Sequence, residues 1–80
     1  MRSATFNGPR LLALREEAEL TQTELAGKLG KLLGRTVHTA TISKYENGKQ
    51  QPSPKTLGAI CEALEVRKAE LLVVPRDQAA

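Results

Sequence analysis

Residues 20–49 read LTQTELAGKLGKLLGRTVHTATISKYENGK and carry the pattern that determines the architecture of this chain. The segment opens with a capping box, because the Thr21 hydroxyl can accept from the Glu24 amide while the Glu24 carboxylate reaches back. Leucines then recur at the spacing of an apolar helix face: Leu25, Leu29, Leu32 and Leu33. The spacing predicts helix 2 up to the last of these leucines, with Gly34 as a left-handed cap. Two glycines inside this helix are expected to weaken it by about 1 kcal/mol each relative to alanine: Gly27 and Gly30.

Helix 3 is predicted to follow after a short turn at residues 35–37. It is expected to begin near His38 or Thr39 and to end at Asn47-Gly48. At about 100° per residue, its inward face holds Ile42, Tyr45, Glu46 and His38. Its outward face is small, polar and positive, without an acid: Ala40, Ser43, Lys44 and Asn47. Such a face suits close approach to a phosphate-lined groove, although small polar residues on a helix also simply face water.

Helices in the flanking segments are marked by proline and by cap residues. Asn7-Gly8-Pro9 begins helix 1, which is predicted over about Pro9–Ala18. Ser53-Pro54 begins helix 4, whose apolar face holds Leu57, Ile60, Cys61 and Leu64. A short helix 5 is expected at about Lys68–Leu72, followed by a loose tail over residues 73–80. The sequence therefore predicts an all-α fold of five short helices without strands.

Length and composition exclude several classes of protein. Eighty residues are expected to form a single domain over residues 1–80, with a thin core at about 9–72. A lone Cys61 cannot form an internal disulfide, and one His with one Cys cannot supply the ligands of a structural zinc site. No apolar run approaches the roughly 20 residues of a membrane span, and no signal peptide is evident. We expect a cytoplasmic protein without metal or cofactor, in which Cys61 is a core residue rather than the nucleophile of an enzyme.

The net charge of +3 is concentrated in one part of the chain. Residues 1–20 and residues 53–80 are each neutral, with equal numbers of basic and acidic side chains. Residues 21–52 hold five basic side chains against two acidic ones, namely Lys28, Lys31, Arg35, Lys44 and Lys49 against Glu24 and Glu46. A basic patch between neutral flanks indicates a localised anionic partner such as a nucleic acid, although an excess of three charges also arises by chance.

The order of these features resembles the helix-turn-helix family of the phage Cro/C1 repressors and Xre-type regulators. The resemblance covers about residues 9–72 and rests on Leu14-Arg15, on LTQTELA at residues 20–26, on TISKYENGK at residues 41–49, and on Pro52-Ser53, Leu57, Ala63-Leu64 and Glu70-Leu71-Leu72. It implies a lambda-repressor-like fold of five helices, in which helix 3 enters the major groove of DNA.

The chain departs from the family pattern at three places. Lys31–Thr36 looks like an insertion between helices 2 and 3. Glu19 replaces the family's usual Gly, which is expected to strain the end of helix 1. His38 stands where Ser or Thr usually caps helix 3, so Thr39 is an alternative cap. These departures leave the start of helix 3, and hence its register in the groove, open.

Residue roles follow from chemistry and from the resemblance. Four side chains of helix 3 are candidates for reading bases: Thr39, Ala40, Ser43 and Lys44. Lys44 can donate to guanine O6 and N7, and the Ala40 methyl can pack on a thymine methyl, whereas the hydroxyls can reach base edges or phosphates. Gln22 matches the family's backbone-contacting Gln, beside the amides at the N-terminus of helix 2. The phosphate candidates are Thr21, Gln22, Arg35, His38, Asn47 and Lys49, whereas Lys28 and Lys31 are expected to be solvated charges.

Glu46 needs a partner, because the helical geometry turns its carboxylate inward and an unpaired buried carboxylate is costly. The matching Arg and Glu form a pair in the family. We therefore predict a structural salt bridge between Arg15 and Glu46, which ties helix 1 to the end of helix 3. Its expected role is positioning rather than a large net gain in stability, since desolvation offsets much of the attraction.

The leading functional hypothesis is a sequence-specific transcriptional regulator of double-stranded DNA, for example a repressor. It would act as a homodimer on a pseudo-palindromic operator with half-sites about 34 Å apart. By resemblance the dimer surface would involve helix 5 and its neighbourhood: Leu71, Leu72, Val73 and Val74. The alternative is an antitoxin or other protein-interaction module of the same fold, which neutralises a partner protein such as a toxin.

Overall fold

The computed structural model describes residues 5–73. Within them the elements are two strands, four α-helices and one short 3-10 helix. In chain order they are β1 (Thr5–Phe6), α1 (Gly8–Glu17), α2 (Gln22–Leu33), α3 (Thr39–Glu46), α4 (Pro54–Leu64), the 3-10 helix (Lys68–Leu71) and β2 (Leu72–Val73).

Side-chain caps fix the beginnings of three of the helices. The Asn7 side chain accepts from the Arg10 amide at 3.1 Å and starts α1. Thr21 starts α2 through a complete capping box, with 3.0 Å from the Glu24 amide to its hydroxyl and 2.8 Å from its own amide to the Glu24 carboxylate. The Ser53 hydroxyl accepts from the Thr56 amide at 3.2 Å and caps the N-terminus of α4. These caps place the helices close to the predicted positions.

The prediction of five helices without strands is wrong in two respects. The fifth helix is only a single 3-10 turn, and the chain continues from it into an extended strand. That strand pairs antiparallel with β1, so that Thr5 faces Val73 and Phe6 faces Leu72. The helix ends after one turn because Leu72 pairs with Phe6 of β1. The backbone there forms hydrogen bonds between strands instead of along a helix.

One core joins all four helices and the 3-10 turn. Its fully buried side chains are Leu11, Leu25, Leu29, Ile42, Ile60 and Leu71. Helix α2 lies between α3 and α4, and α1 packs against α3. Phe6 and Tyr45 meet edge to face at 6.3 Å between ring centroids, which attaches the small sheet to α3.

The burial of Leu71 corrects part of the predicted dimer surface. Its side chain has no solvent exposure, so it holds the core rather than facing a second copy. Leu72 is half-buried and Val73 is exposed. Val74, like the rest of the predicted tail, lies outside the described residues.

The two glycines of α2 play different parts. A Cβ at Gly27 would meet no atom within 4 Å, so only its helix propensity matters there. A Cβ at Gly30 would lie 2.9 Å from the carbonyl oxygen of Arg35, where the loop after α2 folds back. Gly30 therefore permits a close backbone approach as well as weakening the helix.

Glu19 is strained, since it adopts a left-handed backbone conformation with φ of 59°. We expect Glu19→Gly to raise the free energy of unfolding by up to about 1 kcal/mol, because a left-handed L-residue costs about 1–2 kcal/mol and glycine loses somewhat more entropy on folding. Thermal and urea unfolding measure the change. Glu16→Gly is the control, as it removes the same charge within α1 and should cost about 1 kcal/mol. Equal effects of the two variants would contradict strain at Glu19.

Candidate nucleic-acid interface

The side chains of α3 divide into a buried face and a face that reaches the surface, as expected for an amphipathic helix. Ile42, Tyr45 and Glu46 are buried, as their positions on the wheel predict. Ala40 and Lys44 are exposed, whereas Thr39 and Ser43 are half-buried. The four candidate base-reading residues thus all reach the surface on one helix. Within residues 39–46, the exposed side chains include no acid.

His38 does not share the inward face that the wheel assigned to it. It is the N-cap of α3, with an extended backbone and an exposed side chain that makes no capping hydrogen bond. The angular spacing of a helix does not apply to a residue that precedes it, and this explains the error. Thr39 is the first residue of α3 rather than its cap.

Glu46 is held by three donors on other parts of the chain. The Arg15 Nε donates to its Oε2 at 2.5 Å, and Arg15 Nη2 lies 3.3 Å from Oε1. Gln22 Nε2 donates to Oε1 at 2.9 Å. Arg15 Nη1 also donates to the Leu20 carbonyl at 2.8 Å, in the link that follows α1. The structure thus brings Arg15, Gln22 and Glu46 into one network between α1, α2 and α3.

The opposite charges of Arg15 and Glu46 stabilise each other in this network. The hydrogen bond to Glu46 raises the pKa of the Arg15 guanidinium, while desolvation by burial opposes it. Both oxygens of the carboxylate are occupied, and its charge is compensated. The single acid of α3 is therefore removed from the surface that the other polar residues of this helix share.

The candidate phosphate residues divide according to the partners of their side chains. Gln22 uses one of its two amide hydrogens on Glu46, which leaves one for another acceptor. Asn47 accepts from the Lys49 amide at 3.3 Å through its oxygen, so its NH₂ group is available as a donor. The Thr21 hydroxyl is engaged as the cap of α2. Lys49 and His38 are exposed.

Arg35 belongs to the loop after α2, and its guanidinium group contacts the first turn of α4. Its Nη2 is 3.4 Å from the hydroxyl of Thr56, which is buried and also bonds to the Ser53 hydroxyl at 3.0 Å. The guanidinium has five N–H donors, so this contact leaves others free. Arg35 therefore connects the loop after α2 to the first turn of α4.

Lys28 and Lys31 lie on the side of α2 that faces α4. With Leu32 they line a surface pocket whose other wall holds Glu62, Ala63 and Glu65. Two of the five basic residues in the central segment thus have acidic neighbours. The positive charge near α3 therefore depends on the other three basic residues of that segment, Arg35, Lys44 and Lys49.

Thr23 was not among the candidate residues from the sequence. Its hydroxyl oxygen lies 3.1 Å from that of Thr39, at the N-terminal ends of α2 and α3. The sequence holds no signal for this contact, because neither helical wheel relates a residue of one helix to a residue of the next.

Cys61 is buried on α4. Burial raises the pKa of its thiol, Lys68 opposes the shift and Glu70 adds to it. A raised pKa lowers the fraction of reactive thiolate at neutral pH.

No helix within residues 5–73 is both long enough and apolar enough to cross a membrane.

Two successive helices joined by a short loop, the second with an exposed polar face, define a helix-turn-helix domain. The helix-turn-helix family model matches residues 11–71, which is most of the chain. The chain therefore belongs to the helix-turn-helix family, and the resemblance to the Cro/C1-type proteins is confirmed.

Known proteins of this class are similar to the chain in sequence and in structure. The HTH-type transcriptional repressor RghR of Bacillus subtilis (strain 168) is 43% identical over 60 residues, which span 74% of this chain. The match spans only 40% of the length of that relative.

Two solved structures share the fold. The restriction-modification controller protein C.AhdI from Aeromonas hydrophila has a TM-score of 0.68 and 25% identity, over 79% of this chain and 86% of that protein. The P22 c2 repressor, in complex with a synthetic operator, has a TM-score of 0.65 and 29% identity, over 85% of this chain and 94% of that chain. These similarities establish the lambda-repressor-like helix-turn-helix architecture.

Proposed function

We propose that this chain is a sequence-specific regulator of transcription that inserts α3 into the major groove of double-stranded DNA. The single observation that carries the proposal is the exposed face of α3, from which Glu46 is withdrawn by Arg15 and Gln22. A carboxylate on that face would repel phosphates on both sides of the groove. Membership of the helix-turn-helix family and similarity to named repressors support the same function.

Base reading belongs to the four surface residues of α3. Lys44 donates to the guanine edge, and Ala40 offers a methyl group to thymine. Thr39 and Ser43 supply hydroxyls that both donate and accept. The small size of three of these side chains lets the helix axis approach the base pairs closely.

Phosphate contacts flank α3 in this proposal. On one side, the first turn of α2 offers the backbone amides that its capping box does not use, and Gln22 offers a free amide hydrogen. The Thr21 hydroxyl accepts from the Glu24 amide and keeps its own hydrogen as a donor. Beyond the other end of α3, Asn47 and Lys49 offer an NH₂ group and an ammonium group. Two further candidates are Arg35, whose guanidinium group contacts the first turn of α4, and His38, the N-cap of α3.

Homodimerisation completes the proposal. A recognition helix of eight residues reads only a few base pairs, so two copies on a pseudo-palindromic operator supply the affinity that one lacks. The structure of the c2 repressor, to which this chain is similar, is a complex with a synthetic operator. The exposed Val73 and the half-buried Leu72 are the described candidates for the contact between copies.

Lys44→Ala tests the function. We expect the affinity for DNA fragments selected by the wild-type protein to fall about 10-fold or more, because a good base contact contributes about 1–3 kcal/mol. Fluorescence anisotropy at fixed salt measures the loss. Lys28→Ala is the matched control, since it removes the same charge from the α2–α4 side and should change the affinity by less than about 3-fold.

Two results would count against the proposal. Equal losses for Lys44→Ala and Lys28→Ala would show that only overall charge matters and would remove α3 as the reading element. Failure of the wild-type protein to enrich any DNA fragment would overturn DNA binding itself and leave a protein-interaction module of the same fold.

A further inference from the structure

The first turn of α2 contacts both ends of α3. Gln22 donates to Glu46, the last residue of α3, and Thr23 bonds to Thr39, the first residue. An eight-residue helix is only about 12 Å long, so two adjacent residues of α2 reach both ends. The contact at Glu46 belongs to the buried network already described. The contact at Thr39 is separate from it and reaches one of the proposed base-reading residues.

We infer that Thr23 is a specificity-determining positioning residue, which holds the Thr39 side chain in one rotamer and thereby selects the base contacts that Thr39 makes. The inference rests on the proposed function, since it assigns a role to a residue behind the DNA-reading surface. Its basis is the 3.1 Å distance between the two hydroxyl oxygens, across the junction of α2 and α3.

Threonine is suited to this control because its hydroxyl and methyl groups share one Cβ. Side chains occupy staggered positions, so fixing the hydroxyl also fixes the methyl group. A helical threonine divides between two rotamers when its hydroxyl can bond a carbonyl three or four residues earlier. For Thr39 those carbonyls belong to the loop before α3, whereas Thr23 stands on the first turn of α2, whose backbone is fixed by the Thr21–Glu24 capping box.

The hydrogen count limits what the pair can offer to a base. Each hydroxyl has one hydrogen and can accept two. One hydrogen lies between the two oxygens, so the pair has only one further hydrogen for other acceptors. A locked hydroxyl matches fewer donor and acceptor patterns in the major groove than a freely rotating one. The Thr23–Thr39 bond thus converts a permissive residue into a selective one.

Thr23→Val provides the test, because valine keeps the shape of threonine and lacks the hydroxyl. Thr23 is exposed, so the fold is expected to persist, and thermal unfolding checks this. The measurement is the ratio of affinities for the selected DNA site and for its single-base variants at fixed salt. We expect this ratio to fall about 3- to 10-fold at the base pair nearest Thr39, the range of one neutral hydrogen bond, and to stay unchanged elsewhere.

Two further variants complete the experiment. Thr23→Ser retains the hydroxyl and should retain the wild-type ratio. Adding Thr39→Val to Thr23→Val should lower the ratio no further than Thr39→Val alone, since both substitutions remove one coupled pair. An unchanged ratio in Thr23→Val would overturn the inference. So would an equal loss of affinity for every sequence, which would mark Thr23 as a phosphate contact.

The failure of this inference can be distinguished from failure of the proposed function. If the wild-type protein binds its selected site, and Lys44→Ala weakens it while Thr23→Val preserves the ratio, only the role of Thr23 is wrong. If the wild-type protein shows no sequence preference, the proposed function and the role of Thr23 are both overturned.

Discussion

Gly8→Ala is expected to destabilise the protein by about 3 kcal/mol, which is more than half of the roughly 3–5 kcal/mol that a core this small supplies. A Cβ at this position would lie 2.5 Å from the carbonyl oxygen of Tyr45 and 2.6 Å from that of Glu46. Both neighbours are backbone atoms at the end of α3, so no side-chain rotation can relieve the contact. The variant must instead separate the first turn of α1 from α3.

Circular dichroism during thermal and urea unfolding measures this loss. Gly27→Ala is the matched control, because it makes the same chemical change inside α2 with no atom within 4 Å of the new methyl group. It should stabilise the protein by about 1 kcal/mol through helix propensity. A melting temperature of Gly8→Ala within a few degrees of the wild type would show that α1 and α3 can move apart at little cost.

The Gly8 contact also has a consequence for the proposed interface. Glu46 and its partner Arg15 lie at the same junction of α1 and α3 that Gly8 allows to close. A shift of α1 would therefore change the position of the end of α3 relative to α2. The glycine thus contributes to holding α3, the proposed recognition helix, at a fixed angle, although it lies far in sequence from the residues proposed to read bases.

Much of the helical framework could be predicted because its signals are local. The capping residues Asn7, Thr21 and Ser53 each determine a helix start within a few residues of sequence. The wheel of α3 separated Ile42 and Tyr45 from the surface residues, since helical periodicity depends on spacing alone. The expected strain at Glu19 is also visible as a left-handed backbone.

The features that escaped prediction are those formed between distant segments. Strands β1 and β2 have two residues each, which is too short to show an alternating pattern, and they exist only because the two ends of the described chain meet. The close approach at Gly8 and the Thr23–Thr39 contact likewise need the relative placement of two helices. His38 was misplaced because a wheel was extended one residue beyond its helix.

Arg15→Ala is expected to cost about 3–5 kcal/mol, the range observed when one partner of a buried ion pair is removed. The substitution leaves the Glu46 carboxylate buried with only Gln22 as a side-chain donor, and it leaves the Leu20 carbonyl without its partner. The loss measures the cost of an uncompensated charge and not the net value of the pair, because forming the pair already required the desolvation of both groups.

A second substitution separates these two quantities. Adding Glu46→Gln to Arg15→Ala removes the stranded charge while it keeps a side chain of the same shape. The double variant should therefore be more stable than Arg15→Ala alone, even though it retains less of the native network. Urea unfolding is measured on a Gly27→Ala background, which adds about 1 kcal/mol at a site with no atom within 4 Å of the new methyl group. A stabilising osmolyte such as trimethylamine oxide is present throughout, so that the least stable variants remain folded.

The comparison discriminates between a positioning role and simple stabilisation. If the pair mainly stabilises the fold, the double variant should be the least stable of the set, because each change removes favourable contacts. If the pair mainly withdraws a charge and fixes α3, the double variant should regain stability but bind the selected DNA more weakly than the wild type. We expect the second result, since Arg15 and Gln22 together occupy both oxygens of Glu46 and hold the end of α3 against α1 and α2.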